Sequence, residues 1–222
     1  MNKDLIIGTI VLIIIVIGGL WWASKTPVVV PTDGVSTGEN TVTTLPEDQG
    51  EAYLINTASS TFKWIGSFVG GISEAGTVKV SQGQFNVVEN TLTGGQFTID
   101  LDTIKDNAGK TQLEDHLKNA DFFDVAKYPT ATLMITKLEA GDPATAEAVV
   151  TGDLTIKGIT KPITFPAIIT LAGNTITAKA KFSFDRSLWE IKYGSETFFK
   201  NLGDKVIKNE VSVEVTIVAV KQ

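Results

Sequence analysis

From Tyr53 to its C-terminal end the chain alternates apolar and polar residues with a period of two, which restricts it to β-sheet with one dry and one wet face. Phe62 and Trp64 alternate with Lys63, and Phe68 keeps the same phase beyond Ser67. Phe97, Ile99 and Leu101 alternate with Thr98, Asp100 and Asp102, and Ala131, Leu133 and Ile135 with Thr132, Met134 and Thr136. Ile163, Phe165, Ala167, Ile169 and Leu171 share one face. Ile176, Ala178, Ala180, Phe182 and Phe184 share another, and Val211, Val213, Val215 and Ile217 a last one. Gly94-Gly95 and Gly173-Asn174 read as turns between strands. No long helical crossover interrupts the rhythm, so the sheet is antiparallel. Roughly eight strands, each apolar on one side only, imply an all-β barrel or sandwich. One stretch departs from the period: Lys110 to Asn119 places Leu113 and Leu117 at i and i+4 and reads as a short helix, with Thr111 placed to cap its start. Tyr128-Pro129 ends any helix after it.

The first fifty residues follow other rules. Leu5 to Trp22 is uncharged and strongly apolar. As a helix, 5–22 would rise about 27 Å, close to the hydrocarbon thickness of a bilayer, and Trp21 and Trp22 close it where indoles favour the interface. Residues 1–23 therefore read as a membrane anchor. The competing reading, a cleaved signal peptide, needs small residues before the cut, and Trp21 two places ahead of Ala23 fits poorly. The positive-inside rule favours a cytoplasmic N-terminus and a domain on the exported side, periplasmic or extracellular. Residues 24–50 are rich in Thr, Val, Pro, Gly and acids without periodicity and read as a disordered acidic tether. That leaves 51–222 as the β domain.

Charge and residue types exclude several functions. The net charge of −6 argues against a nucleic-acid partner. The chain has no cysteine, which removes disulfides, thiolate metal sites, a cysteine nucleophile and a lipid-modified N-terminal cysteine. Its single histidine, His116, cannot form a multi-histidine metal site, and its sequence neighbours Glu114 and Asp115 point elsewhere on a helix. No phosphate-loop, dinucleotide or HExxH pattern occurs. Asp100 and Asp102 share a solvated strand face rather than forming an acid/base dyad. No catalytic residue, metal site or cofactor is expected. The inward faces instead mix large rings with Gly152, Gly158, Ala178 and Ala180. An eight-stranded barrel either fills its interior or holds one ligand. Periodicity does not choose between these, but any interior ligand would be apolar.

The stretch from His116 through Asn119-Ala120-Asp121-Phe122-Phe123-Asp124 to Tyr128-Pro129-Thr130-Ala131-Thr132 closely resembles the signature of the YceI-like, polyisoprenoid-binding family. Gly152-Asp153-Leu154 to Lys161-Pro162 is similar to that family's strand-turn-strand motif. Phe184-Asp185-Arg186-Ser187 with Trp189, then Tyr193-Gly194-Ser195, is similar to a late motif, and Asn201 to Lys205 with the final valine-rich strand completes the series. The resemblance implies a lipocalin-like antiparallel barrel around a long isoprenoid, quinone-like or other lipid chain, for transport, storage or protection at the cell envelope. Two positions depart from the family pattern. Asn56 stands where the opening strand commonly ends in Asp, and Glu190 where Gly usually follows the tryptophan, which disfavours a positive φ there.

On this reading Phe62, Trp64, Phe68, Phe97, Ile99 and Leu101 face a ligand from the first half of the barrel. Leu133, Ile135, Phe165, Phe182 and Phe184 face it from the second half. Phe122, Phe123, Arg186 and Trp189 join them from the motifs, with Arg186 near a barrel end as either an ion-pair partner or a contact to a polar head group. The alternatives are a ligand-free structural or protein-interaction domain tethered to the membrane, and a lipid hydrolase or isomerase, for which no nucleophile is in sight.

Overall fold

A computed structural model of the chain describes residues 50–141 and 147–222. The expected anchor at 5–22 and, apart from Gly50, the expected tether at 24–50 lie outside the described residues. The order is β1 (Glu51–Ile55), β2 (Thr61–Phe68), β3 (Ser73–Val88), β4 (Thr91–Asp106), α1 (Thr111–Lys118), β5 (Thr130–Ala140), β6 (Ala148–Ile156), β7 (Ile159–Ala172), β8 (Thr175–Asp185) and β9 (Ile207–Lys221).

The ring β3-β2-β9-β8-β7-β6-β5-β4 closes on itself through β3–β4 pairing. All pairs are antiparallel. The fold is thus, of the barrel and the sandwich that the alternation allows, the all-β barrel with one short helix that the family resemblance implies, and closure leaves no free edge among the described strands. β1 pairs with the same two neighbours as β2, so the two are halves of one stave. The break between them is built on Asn56, whose Oδ1 accepts the N–H groups of Ala58 and Ser59 at 3.1 Å each. The turn uses only a side-chain oxygen, which Asn supplies as well as Asp.

Three local expectations are corrected. Gly94 and Gly95 are not a turn but lie inside β4. The reversal is at Glu89-Asn90, with φ of 48° and 60°, the paired left-handed geometry of a tight hairpin. Gly95 is in the strand because a Cβ there would stand 2.8 Å from Gln84 O and 3.1 Å from the Phe85 ring. Thr111 is the first residue of α1, not its cap, and Lys110 precedes it without a side-chain cap. The carboxylate of Asp106 does related work, accepting the N–H groups of Ala108 and Lys110 at 2.9 and 3.0 Å. Glu190 does adopt a positive φ, 55°, although it is not glycine. It closes the 3-10 turn Arg186–Trp189, donating its N–H to Ser187 O at 3.1 Å.

The connections sort to two ends. α1, the turn between β2 and β3, the Lys157-Gly158 turn and the long segment 186–206 gather at one end, here the α1 end. Glu89-Asn90 and Gly173-Asn174 turn at the other. Two apolar clusters follow the same division. One is built around Ile104, Leu117, Phe122, Trp189 and Ile191 near α1, the other around Tyr53, Phe85, Phe97, Ile176 and Ile217.

Candidate functional site

The strand faces that the alternation directs inward do not pack solid. In β2, β7 and β8 most outward residues are exposed, yet Phe62, Trp64, Ile163, Ile169, Phe182 and Phe184 point inward and remain only half-buried. In a closed barrel, accessible surface on an inward side chain borders interior space. Among the described residues, two chambers stand out in that space. The larger, about 170 Å³, lies beneath α1 and reaches Phe68, Ile104, Leu113, Leu117, Phe122, Phe123 and Ile207. The second, about 80 Å³, lies toward the opposite end between Phe85, Phe97, Ile135, Phe165, Ala178 and Ile217. Both walls are almost wholly apolar, with Glu74, Arg186 and Lys208 as charged residues bordering the larger chamber. Part of this room arises from small residues. Gly66 borders the larger chamber, and nothing lies within 4 Å of where its Cβ would be.

The structure brings together nearly all the expected ligand-facing residues. Phe62, Trp64, Phe68, Ile99, Leu101, Phe122, Phe123, Leu133, Phe182, Phe184 and Arg186 border the larger chamber. Phe97, Ile135 and Phe165 border the second. Trp189 borders neither. It is 1% exposed, donates its indole N–H to Leu154 O at 3.0 Å and meets Phe184 edge-on at 5.4 Å, so it props the wall from behind. The indole N–H of Trp64, by contrast, is a buried donor with no partner among the described residues.

Arg186 is not the ion-pair partner that one reading expected, and it borders the larger chamber. It is 3% exposed and hydrogen-bonds to no carboxylate. Its guanidinium donates from Nε to Lys208 O (3.2 Å), from Nη1 to Ile191 O (2.7 Å), and from Nη2 to Tyr193 O (2.9 Å) and Ile207 O (3.1 Å). Arginine suits this because its planar fork offers five donors in fixed directions. Burial lowers its pKa from the usual guanidinium value, with Asp185 pulling the other way. Arg186 thereby clasps the segment 191–193 to the start of β9 and shapes the rim.

α1 forms part of the roof. Leu113 and Leu117 turn to the chamber, and Glu114 ties the helix to β4. Glu114 accepts from Lys105 Nζ at 2.7 Å and from Asp106 N at 3.1 Å. The Lys105 hydrogen bond, then the backbone one, hold its carboxyl below the ordinary value. His116 stands with Nε2 3.5 Å from Asp121 and packs edge-on against Phe122 (4.9 Å) and Tyr193 (4.4 Å), a structural wedge between helix and loop. On the rim, Lys110 reaches Glu74 at 2.7 Å.

Sequence reasoning missed the contribution of β3, where Val78, Val80 and Phe85 are buried inward. The period-two signal is present in Val78-Lys79-Val80, but a register shift between Val80 and Gln82 moves the inward phase before Phe85. A bulge of this kind flips the parity that the alternation relies on. A second parity change, from Leu101 to Ile104 in β4, hid Ile104 in the same way.

Comparison with known proteins agrees with this geometry. The family model for the YceI-like domain matches residues 53–219. The UPF0312 protein of Vibrio parahaemolyticus is 33% identical over 130 residues, 57% of this chain and 67% of that protein. Protein YceI of Escherichia coli is 37% identical over 93 residues, 41% of this chain and 47% of that protein, so this match spans about half the relative's length. Among solved structures, Burkholderia cenocepacia BcnA aligns with a TM-score of 0.61 at 24% identity, over 75% of this chain and 99% of that one. A polyisoprenoid binding domain from Saccharophagus degradans, implicated in plant cell wall breakdown, aligns with a TM-score of 0.58 at 17% identity, over 78% and 99%. At these identities the likeness to the solved structures is one of fold.

Proposed function

This chain belongs to the YceI-like family, and from that membership we propose that its barrel encloses the hydrocarbon chain of an apolar lipid, a polyisoprenoid or quinone-like molecule, without reacting with it. The observation that carries the reading is the set of inward aromatic side chains left half-buried around an apolar cavity. Such a cavity repels water and ions alike and suits a ligand that brings no polar group to the wall. The polyisoprenoid binding domain of the same fold supports an isoprenoid over other chains. The role follows from the chemistry: a long apolar chain needs a carrier or store wherever it leaves a bilayer. We place that role at the cell envelope, with segment 5–22 as membrane anchor and the barrel on the exported side.

The test is organic extraction and mass spectrometry of the purified full-length protein, followed by melting of delipidated protein with added polyprenols or quinones. Co-purified isoprenoid lipid and a raised melting temperature are expected. Protein that never contains lipid, and a melting curve unmoved by every added prenol and quinone, would overturn the reading in favour of a ligand-free structural domain.

A further inference from the structure

We propose that Phe62, Ile99, Leu133 and Phe182 form a waist that sets the length of hydrocarbon chain this barrel accepts; the inference rests on the lipid-binding reading above. Among the described residues, these four alone border both chambers. The ring order explains how they meet. Phe62 on β2 and Phe182 on β8 flank β9, where they stand beside Val215 and Val213. In a ring of eight staves, β5 lies opposite β9 and β4 opposite β8, and these supply Leu133 and Ile99. Two aromatic rings from one wall therefore face two aliphatic side chains from the other.

The two leaves of the aromatic side differ. Phe182 is stacked on Phe165 of β7, with ring centroids 4.1 Å apart and planes 12° from parallel. Opening the waist through Phe182 requires breaking that stack. Phe62 has no ring partner among the described residues and turns more easily. A chain entering at the α1 end, past the rim of Glu74 and Lys208, first fills the larger chamber and then meets this constriction. Beyond it the second chamber would add about half again to the space available. With the waist shut, the fit is to a chain that ends there. Longer homologues must displace the rings or leave their excess in water. Since each pair of buried methylene groups is worth roughly tenfold in affinity, this gate discriminates by length.

The experiment compares delipidated full-length wild type, Phe182→Ala, Phe182→Leu and Phe97→Leu. Each is titrated with all-trans prenols from farnesol to octaprenol, using native mass spectrometry and with folding checked by circular dichroism. Phe97 borders only the second chamber, so Phe97→Leu enlarges interior volume without touching the waist. Phe182→Ala is expected to shift the best-bound prenol to a longer homologue and to tighten the longest by roughly tenfold or more. Phe182→Leu should move the preference less, and Phe97→Leu should leave it where wild type has it. If Phe182→Ala fails to fold, the comparison of Phe182→Leu with Phe97→Leu decides. Equal shifts in the variants at positions 182 and 97, or none at 182, would overturn the waist while leaving lipid binding intact. Two short prenols bound per wild-type barrel would also overturn it, since the chambers would then act as separate sites. Absence of binding by every prenol would overturn the underlying reading and the waist with it.

Discussion

At the residue scale, two positions show how the loop beside the mouth is held. Arg186 gives its donors to four carbonyl oxygens, of Lys208, Ile191, Tyr193 and Ile207. Arg186→Met would leave acceptors buried without partners, at about 1–3 kcal/mol each where no water replaces the donor. Chemical denaturation should therefore show a loss of at least about 3 kcal/mol, and an unchanged midpoint would refute the clasp. Glu190 stands in the left-handed region at φ 55°. That conformation costs a non-glycine residue about 1–2 kcal/mol, while glycine adds about 0.5–1 kcal/mol of unfolded-state entropy. Glu190→Gly should accordingly stabilise by about 0.5–1 kcal/mol, seen as a small rise in melting temperature. A fall would mean that the carboxylate, 3.5 Å from Lys192 Nζ, matters more than the backbone. Both positions stood out in the sequence, Arg186 by its motif and Glu190 by its departure from it. Their geometry did not, because the partners lie in main-chain atoms that carry no sequence signal.

At the element scale, α1 is fastened by one buried carboxylate rather than by a cap. Glu114 has its pKa lowered in the folded protein, chiefly by Lys105. A depressed carboxylate contributes stability that is present above its unfolded pKa and is lost as pH falls through the folded value. The contribution of Glu114 should thus decline from its ordinary 4.5 downward. Lys105, whose pKa is raised above 10.5 chiefly by the Glu114 carboxylate, contributes fully at neutral pH and loses its share as pH rises above that value. Glu114→Gln should lower stability at neutral pH and narrow the gap from wild type as the solution is acidified. Urea midpoints at neutral and acidic pH measure this, and a gap that stays constant would show that the charge is not what binds α1. In β4, Gly95 faces the Phe85 and Phe97 rings, themselves in edge contact at 5.0 Å. Gly95→Val should destabilise by about 1–3 kcal/mol through overpacking, measured by thermal melting. The strands themselves were legible wherever the period ran unbroken, as in β8 from Ile176 to Phe184. They were not where bulges changed its phase, as in β3.

At the scale of the whole molecule, ligand and stability are linked. A lipid bound only by the folded barrel at a hundred times its dissociation constant adds about 2.7 kcal/mol, worth several degrees for a domain of this size. Delipidated wild type should melt lower than the loaded protein. Ile99→Lys or Phe182→Glu should abolish lipid co-purification, because an ionised group at the waist lacks a partner and excludes an apolar chain. Lipid content at wild-type level in either variant, measured after extraction, would show that the chain does not reach the waist.

The alternation of apolar and polar residues was enough to determine that this chain forms an antiparallel barrel or sandwich, which side of most strands faces inward, and that the interior is apolar. Those properties follow from backbone geometry, which sends successive side chains to opposite faces whatever lies across the sheet. Whether the interior is open depended on the tertiary structure alone. Free volume is what remains after side chains from opposite walls have been brought together, and Phe62, Ile99, Leu133 and Phe182 come from four strands far apart in sequence. The same reason separates Phe184 from Trp189. Both are large, apolar and in one motif, but the 3-10 turn between them sends the indole behind the wall while the phenyl ring borders the chamber.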